Sequence, residues 1–162
     1  CAIRYPKGTA CTDMEDCDEP LQKGRSEVIC RGSEIAILGV GSMVAVCQKV
    51  CEGLRDDRIA RATFVNVRFV KPVDTGLLDQ LSKNHSLLVI VEENVKSGGF
   101  GEHVSAYMEA CHPEVRVLSL AIRDHFIEHG TVDSQRVKTG LNVQGIVDAV
   151  EQSWADLVHN RK

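Results

Sequence analysis

EIAILGVGSMVAVCQKVCEGL, residues 34–54, joins a continuous apolar run to a stretch with helical spacing. Residues 35–40, IAILGV, do not alternate polar with apolar, so the run suits a strand covered on both faces, as in a parallel sheet. Gly39-Val40-Gly41 then supplies a turn, and Ser42 is placed to cap a helix running to about Arg55. Met43, Val44, Cys47, Val50, Cys51 and Leu54 fall on one side of that helix. A buried strand feeding an amphipathic helix is the first half of a βαβ unit.

The same alternation continues downstream. Residues 62–67 read as a strand, and Asp74 caps a helix carrying Leu77, Leu78 and Leu81. Residues 87–91, LLVIV, form the most apolar strand. Gly98-Gly99-Phe100-Gly101 opens a helix expected to turn Val104, Tyr107, Met108 and Cys111 inward. A strand at 115–120 and an irregular stretch follow, and Asn142 caps a last helix with Val143, Ile146, Val147, Val150, Trp154 and Leu157 as its stripe. Residues 27–31 read as an edge strand. Strands alternating with helices of this length predict an α/β three-layer sandwich on a mostly parallel five-stranded sheet, with the 27–31 edge strand antiparallel.

Composition removes several functional classes. The chain has 162 residues, a formal charge of −4 and a pI near 5.9, with no run of Lys or Arg, so a nucleic-acid partner is not expected. The apolar stretches are too short to span a bilayer, so no membrane partner is expected. Seven cysteines, an odd number with no C-x-x-C, argue against a disulfide framework or a zinc ribbon. Cys47 and Cys51 read as small buried side chains. Residues 1–24 lack a core pattern, and 13–19 hold five carboxylates in seven residues, as a solvated linker would. A start at Cys1 without a signal sequence is expected of a piece of a longer protein.

Five segments carry candidate chemistry. Gly39-Val40-Gly41-Ser42 sits where a dinucleotide fingerprint would, but Val44 stands at the third glycine position, so a tight βα turn is expected. Glu92 and Glu93 are adjacent carboxylates whose side chains leave a strand in opposite directions, so a role in holding the next loop is favoured over an acid–base pair. Gly98-Gly99-Phe100-Gly101 could cradle a phosphate on its amides, yet no partner lysine accompanies it. His125-x-x-Glu128-His129 matches the inverzincin order of a zinc hydrolase on paper, but a short segment ending in Gly130 reads instead as a loop that docks against another domain. Arg4-Tyr5-Pro6-Lys7-Gly8 sets two cations on a stiff, extended segment.

Six segments in register resemble the carboxy-terminal part of the 1-deoxy-D-xylulose-5-phosphate synthases, a branch of the transketolase superfamily. They are AIRYPKG at 2–8, EIAILGVGSMV at 34–44, VNVRFVKPVD at 65–74, VIVEENVKSGGFGEHV at 89–104, DHFIEHG at 124–130 and TGLNVQGIV at 139–147. The pyruvate dehydrogenase beta chain shares the layout but is less similar in RYPKG, RFVKPVD and the EHG segment. The resemblance implies a parent enzyme that condenses pyruvate with glyceraldehyde 3-phosphate, losing carbon dioxide, in isoprenoid and thiamine biosynthesis. It implies thiamine diphosphate and Mg2+ in that parent, held by upstream domains whose Gly-Asp-Gly…Asn-Asn motif is absent here. No cofactor is therefore expected in this chain. Residues 1–24 would be the end of the preceding pyrimidine-binding domain plus a linker, and 25–162 a transketolase carboxy-terminal-like domain. By resemblance Arg4 binds the phosphate of the acceptor aldehyde. The implied partners are the catalytic domains of the same polypeptide, in a homodimer, in bacterial cytoplasm or plastid stroma. An autonomous small-molecule module, binding in the crevice where loops 39–42, 67–73 and 92–101 converge, is the alternative.

Overall fold

The computed structural model describes residues 1–3, 20–56 and 62–159, with the side chains of 55 and 56 left aside. Arg4 and the acidic stretch 13–19 lie outside the described residues.

The described elements run β1 (Glu27–Cys30), β2 (Glu34–Gly39), α1 (Met43–Asp56), β3 (Thr63–Asn66), α2 (Thr75–Leu81), β4 (His85–Val95), α3 (Phe100–Cys111), β5 (Arg116–Ile122), α4 (Val132–Thr139) and α5 (Val143–His159). The sheet order is β1-β3-β2-β4-β5. Among the described residues only the β1–β3 pair is antiparallel. The expected five-stranded, mostly parallel α/β sandwich with an antiparallel edge strand is thus the observed architecture.

Residue parity sorts the core into two layers. Ile35, Ile37, Leu87, Val89 and Val91 face α1 and α5. Ala36, Leu38, Leu88 and Ile90 face α2 and α3. Each central strand is therefore apolar on both faces, the physical reason its sequence does not alternate. Cys47 and Cys51 are buried in the α1 layer, and burial pushes the Cys47 thiol well above its ordinary range. In contrast, Cys111 is exposed although inward packing was expected of it. It is the last residue of α3.

Three further differences have local causes. β4 runs to Val95, beyond the expected 91, because its pairing with β5 resumes after a bulge: Val91 pairs with Leu120, but Val95 with Ile122. The stretch expected to be irregular contains α4, whose residues are all at least partly exposed and so present no apolar stripe to read. Thr131 caps it by accepting from Ser134 N–H. The Ser42 hydroxyl donates to Glu93 Oε2 at 2.6 Å, tying the α1 entry to the end of β4.

Asp74 fastens the chain's entry into the sheet. It accepts from Leu77 N–H at 3.2 Å as the expected cap, and also from Ser26 N–H at 2.9 Å and Arg25 Nη1 at 3.1 Å. Beside it Gly24 is buried with φ 73°, and a Cβ there would lie 2.7 Å from Pro72 Cγ. Arg68 pairs with Glu27 at 2.7 Å. The loop 67–74 thus holds the segment before β1 against the carboxyl end of β3.

His85 locks the opposite end of the sheet. It is 7% exposed. Nδ1 lies 2.8 Å from the Leu81 carbonyl, so Nδ1 carries the proton; Nε2 then accepts from Thr63 Oγ1 at 2.7 Å. Thr63 Oγ1 in turn accepts from Gly32 N–H at 2.9 Å. Burial holds the ring's pKa below its ordinary value. The unfolded chain therefore takes up this proton first as pH falls. The neutral ring's contribution is fully present above about pH 6.5 and declines as pH drops through that value. Urea unfolding at about pH 7.5 and about pH 5.5 is expected to show a larger loss for the wild type than for His85→Gln. Equal losses would contradict this role.

Candidate functional site

The candidate residues collect at the carboxyl end of the sheet. There the loops after β2, β3, β4 and β5 emerge, and β2 is the switch point, with β3 on one side and β4 on the other.

Glu92 and Glu93, neighbours near the end of β4, point to opposite faces of the sheet. Glu92 continues the Leu88, Ile90 face and reaches the start of α3. Its Oε2 accepts from Phe100 N–H at 2.9 Å and its Oε1 from Gly101 N–H at 2.7 Å. Only 2% of Glu92 is exposed. A buried carboxylate bound by two amides at a helix N-terminus combines charge-assisted hydrogen bonds with the favourable end of the helix dipole. Gly98 N–H is taken by the Glu102 carboxylate. The glycine loop therefore does cradle anions, but they are the protein's own carboxylates. Its glycines serve close approach: a Cβ on Gly101 would sit 2.3 Å from Ser119 Oγ and 3.2 Å from Glu92 Oε1.

Glu93 turns toward α1 and α4. It accepts from Ser42, from Arg136 Nε at 3.1 Å and from Arg136 Nη2 at 3.3 Å. Partial burial opposes its ionisation, but the hydrogen bonds from Arg136 and Ser42 outweigh that and hold its carboxyl below the usual range. Loops 39–42 and 92–101 do converge, through the Ser42–Glu93 bond of this cluster. Beside it a groove of about 290 Å3 is lined by Ser42, Lys49, Arg136 and Asn142, among others. A second groove, of about 450 Å3, opens between Lys96, Glu102, Ser119 and Arg123.

The His125, Glu128, His129 segment lies in an exposed, irregular stretch between β5 and α4. The Glu128 carboxylate pairs with Lys138 at 2.8 Å, and the Glu128 carbonyl accepts from Gln135 Nε2 at 3.2 Å. Without a helix to set two histidines on one side, the inverzincin order does not become a ligand set. Among the described residues no three His, Cys, Asp or Glu side chains are grouped to hold a metal. With the glycine-loop amides already used, the described residues do not fit a magnesium–diphosphate site.

One cluster escaped sequence reasoning. Asp79 Oδ1 accepts from His112 Nε2 at 2.7 Å and from the Tyr107 hydroxyl at 2.8 Å, clipping α2 to the end of α3. Those bonds hold the Asp79 carboxyl below its usual range. The bond to Asp79 pushes the Tyr107 hydroxyl up to about 12. No sequence motif links the three positions.

Comparison with known proteins places the chain. Residues 24–146 match the family described as "Transketolase, C-terminal domain". This chain belongs to that family. It is 42% identical over 150 residues to the 1-deoxy-D-xylulose-5-phosphate synthase of Lachnoclostridium phytofermentans, covering 92% of this chain and 24% of that protein. It is 38% identical over 151 residues to the synthase of Pseudoalteromonas translucida, covering 93% of this chain and 23% of that one. The chain thus spans about a quarter of the length of these curated relatives. Among solved structures, a split-gene transketolase described as an inactive β4 tetramer is similar with TM-score 0.77 and 28% identity, covering 83% of this chain and 44% of that one. Campylobacter jejuni transketolase shares the fold, with TM-score 0.53 at 17% identity over 80% of this chain and 19% of its own. Among the described residues no helix is long and apolar enough to cross a membrane.

The Glu92 clasp is the local feature on which this end of the sheet is built. Glu92→Ala would leave two buried amides without their acceptor and is expected to cost about 3 kcal/mol in urea unfolding. Gly101→Ala is expected to destabilise as well, because Ser119 and Glu92 already fill the space. A Glu92→Ala loss below about 0.5 kcal/mol would contradict the clasp.

Proposed function

We propose that this chain is the carboxy-terminal domain of an enzyme of the 1-deoxy-D-xylulose-5-phosphate synthase type. The carrying observation is the 42% identity over 92% of the chain, confined to about a quarter of the relative. In this reading the whole enzyme condenses pyruvate with glyceraldehyde 3-phosphate, with loss of carbon dioxide. Thiamine diphosphate and Mg2+ sit in upstream domains and supply the chemistry of decarboxylation. The isolated chain is inactive. Its work is structural: it packs against the catalytic domains of its own polypeptide and steadies a cytoplasmic homodimer.

Residues 1–24 belong, in this reading, to the end of the pyrimidine-binding domain and the linker, and 25–162 to the carboxy-terminal domain. Arg4 contributes to the active site from that upstream end by gripping the phosphate of the acceptor aldehyde, a role suited to a fixed guanidinium. What supports an accessory role is the wiring of the sheet's carboxyl end. Glu92 and Glu102 occupy the loop amides, and Glu93 is taken up by Arg136 and Ser42 beside the switch point. A free-standing binding module would keep those groups available to a ligand.

The coding sequence upstream of Cys1 gives the direct test. It is expected to encode a Gly-Asp-Gly…Asn-Asn motif. The full-length product is expected to release carbon dioxide from pyruvate and glyceraldehyde 3-phosphate, while the 162-residue chain does not. An upstream stop codon, or turnover by the 162-residue chain alone, would overturn the proposal.

A further inference from the structure

Nine large hydrophobic residues are exposed among the described residues, and five of them, Val70, Val95, Phe126, Val132 and Val137, lie at or beyond the carboxyl ends of the strands. Phe126 is the extreme case, at 104% exposure. A phenylalanine held wholly in water at the tip of a connection gives up the burial that normally accompanies such a side chain. Val132 and Val137 are 55% and 62% exposed on α4, a helix that buries none of its own residues. That helix is tied to the end of β4, because Arg136 pairs with Glu93. α4 thus leaves Val132 and Val137 exposed on a helix tied to the end of β4 through Arg136.

We infer that this carboxyl-end face, with Phe126 as its anchor, is where the domain docks on the upstream thiamine-binding domains of the longer polypeptide. The inference rests on the functional reading above and deepens it by naming the surface. The direction of the chain identifies the occupant. β1 runs antiparallel to β3, so Glu27 stands opposite Asn66 at the carboxyl end of the sheet. Gly24 packs on Pro72, and Arg25 and Ser26 are bound to Asp74, in the loop that also carries exposed Val70. The upstream chain is therefore delivered to the carboxyl end of the sheet, the end at which this apolar face lies, and enters at the β1 edge. α5 instead carries the chain toward the other end, where Arg116, the first residue of β5, donates to the Ser153 carbonyl. A partner reached through the amino-terminal side meets this face first. The groove of about 450 Å3 beside Lys96 and Arg123 opens at the same end and can take a side chain from that partner.

The test uses the full-length protein. Hydrogen-exchange mass spectrometry on the wild type is expected to show segment 123–137 protected at least ~10-fold relative to the same segment in Phe126→Asp. Peptides from α2 and α3 are expected to exchange equally in both, showing that the domain itself stays folded. Val137→Lys, at a second exposed site, is expected to release the same segment. Wild-type exchange of 123–137 at unprotected rates, or equal protection in all three proteins, would overturn the inference. So would light scattering that finds the 162-residue chain dimeric and its Phe126→Asp variant monomeric, because the face would then pair with a second copy. An upstream reading frame without thiamine-binding domains would instead sink the functional reading, and it is read from the gene independently of exchange.

Discussion

The carboxylate of Glu92, almost wholly buried and bound by the Phe100 and Gly101 amides, fixes the relation between the central strand β4 and helix α3. A charge this deep is tolerated only when its oxygens are bound, and here each takes a backbone donor. The clasp sets where α3 starts and how closely the glycine loop approaches β5 at Ser119. Glu93, its neighbour in the strand, points the other way and fastens Ser42 and Arg136. Two neighbouring carboxylates thus organise both layers at the carboxyl end of the sheet. Neither is left over for proton transfer.

Much of this was readable in the sequence, for identifiable reasons. The apolar runs 35–40 and 87–91 lie in strands buried on both faces, so they could not be mistaken for half-exposed strands. Asp74 and Asn142 were legible as caps because their side chains do accept from Leu77 and Gly145 N–H. The opposite pointing of Glu92 and Glu93 followed from strand parity alone. α4 was invisible because it rests on polar anchors and leaves its valines outside, so no apolar stripe marks it. The Asp79, Tyr107, His112 cluster was invisible because it joins positions up to 33 residues apart, and no local pattern encodes such a meeting. Cys111 misled because helical spacing does not mark where the buried face stops at a helix end.

The glycine loop shows why a motif must be followed to its hydrogen bonds. Its sequence suits a phosphate cradle, and its backbone does bind anions. The anions are Glu92 and Glu102, so the loop's binding capacity is used within the fold. The same end of the sheet that consumes its polar groups internally leaves Phe126 and two valines of α4 in water. Polar groups satisfied within and apolar groups left outside suit a surface that meets protein better than one that meets a small charged molecule.

Calorimetric titration with thiamine diphosphate and Mg2+, run in parallel on the full-length protein and on the 162-residue chain, tests the central claim most directly. The account predicts saturable heat from the full-length protein and none above dilution from the shorter chain. Micromolar binding by the shorter chain would place the cofactor site within these residues and contradict it.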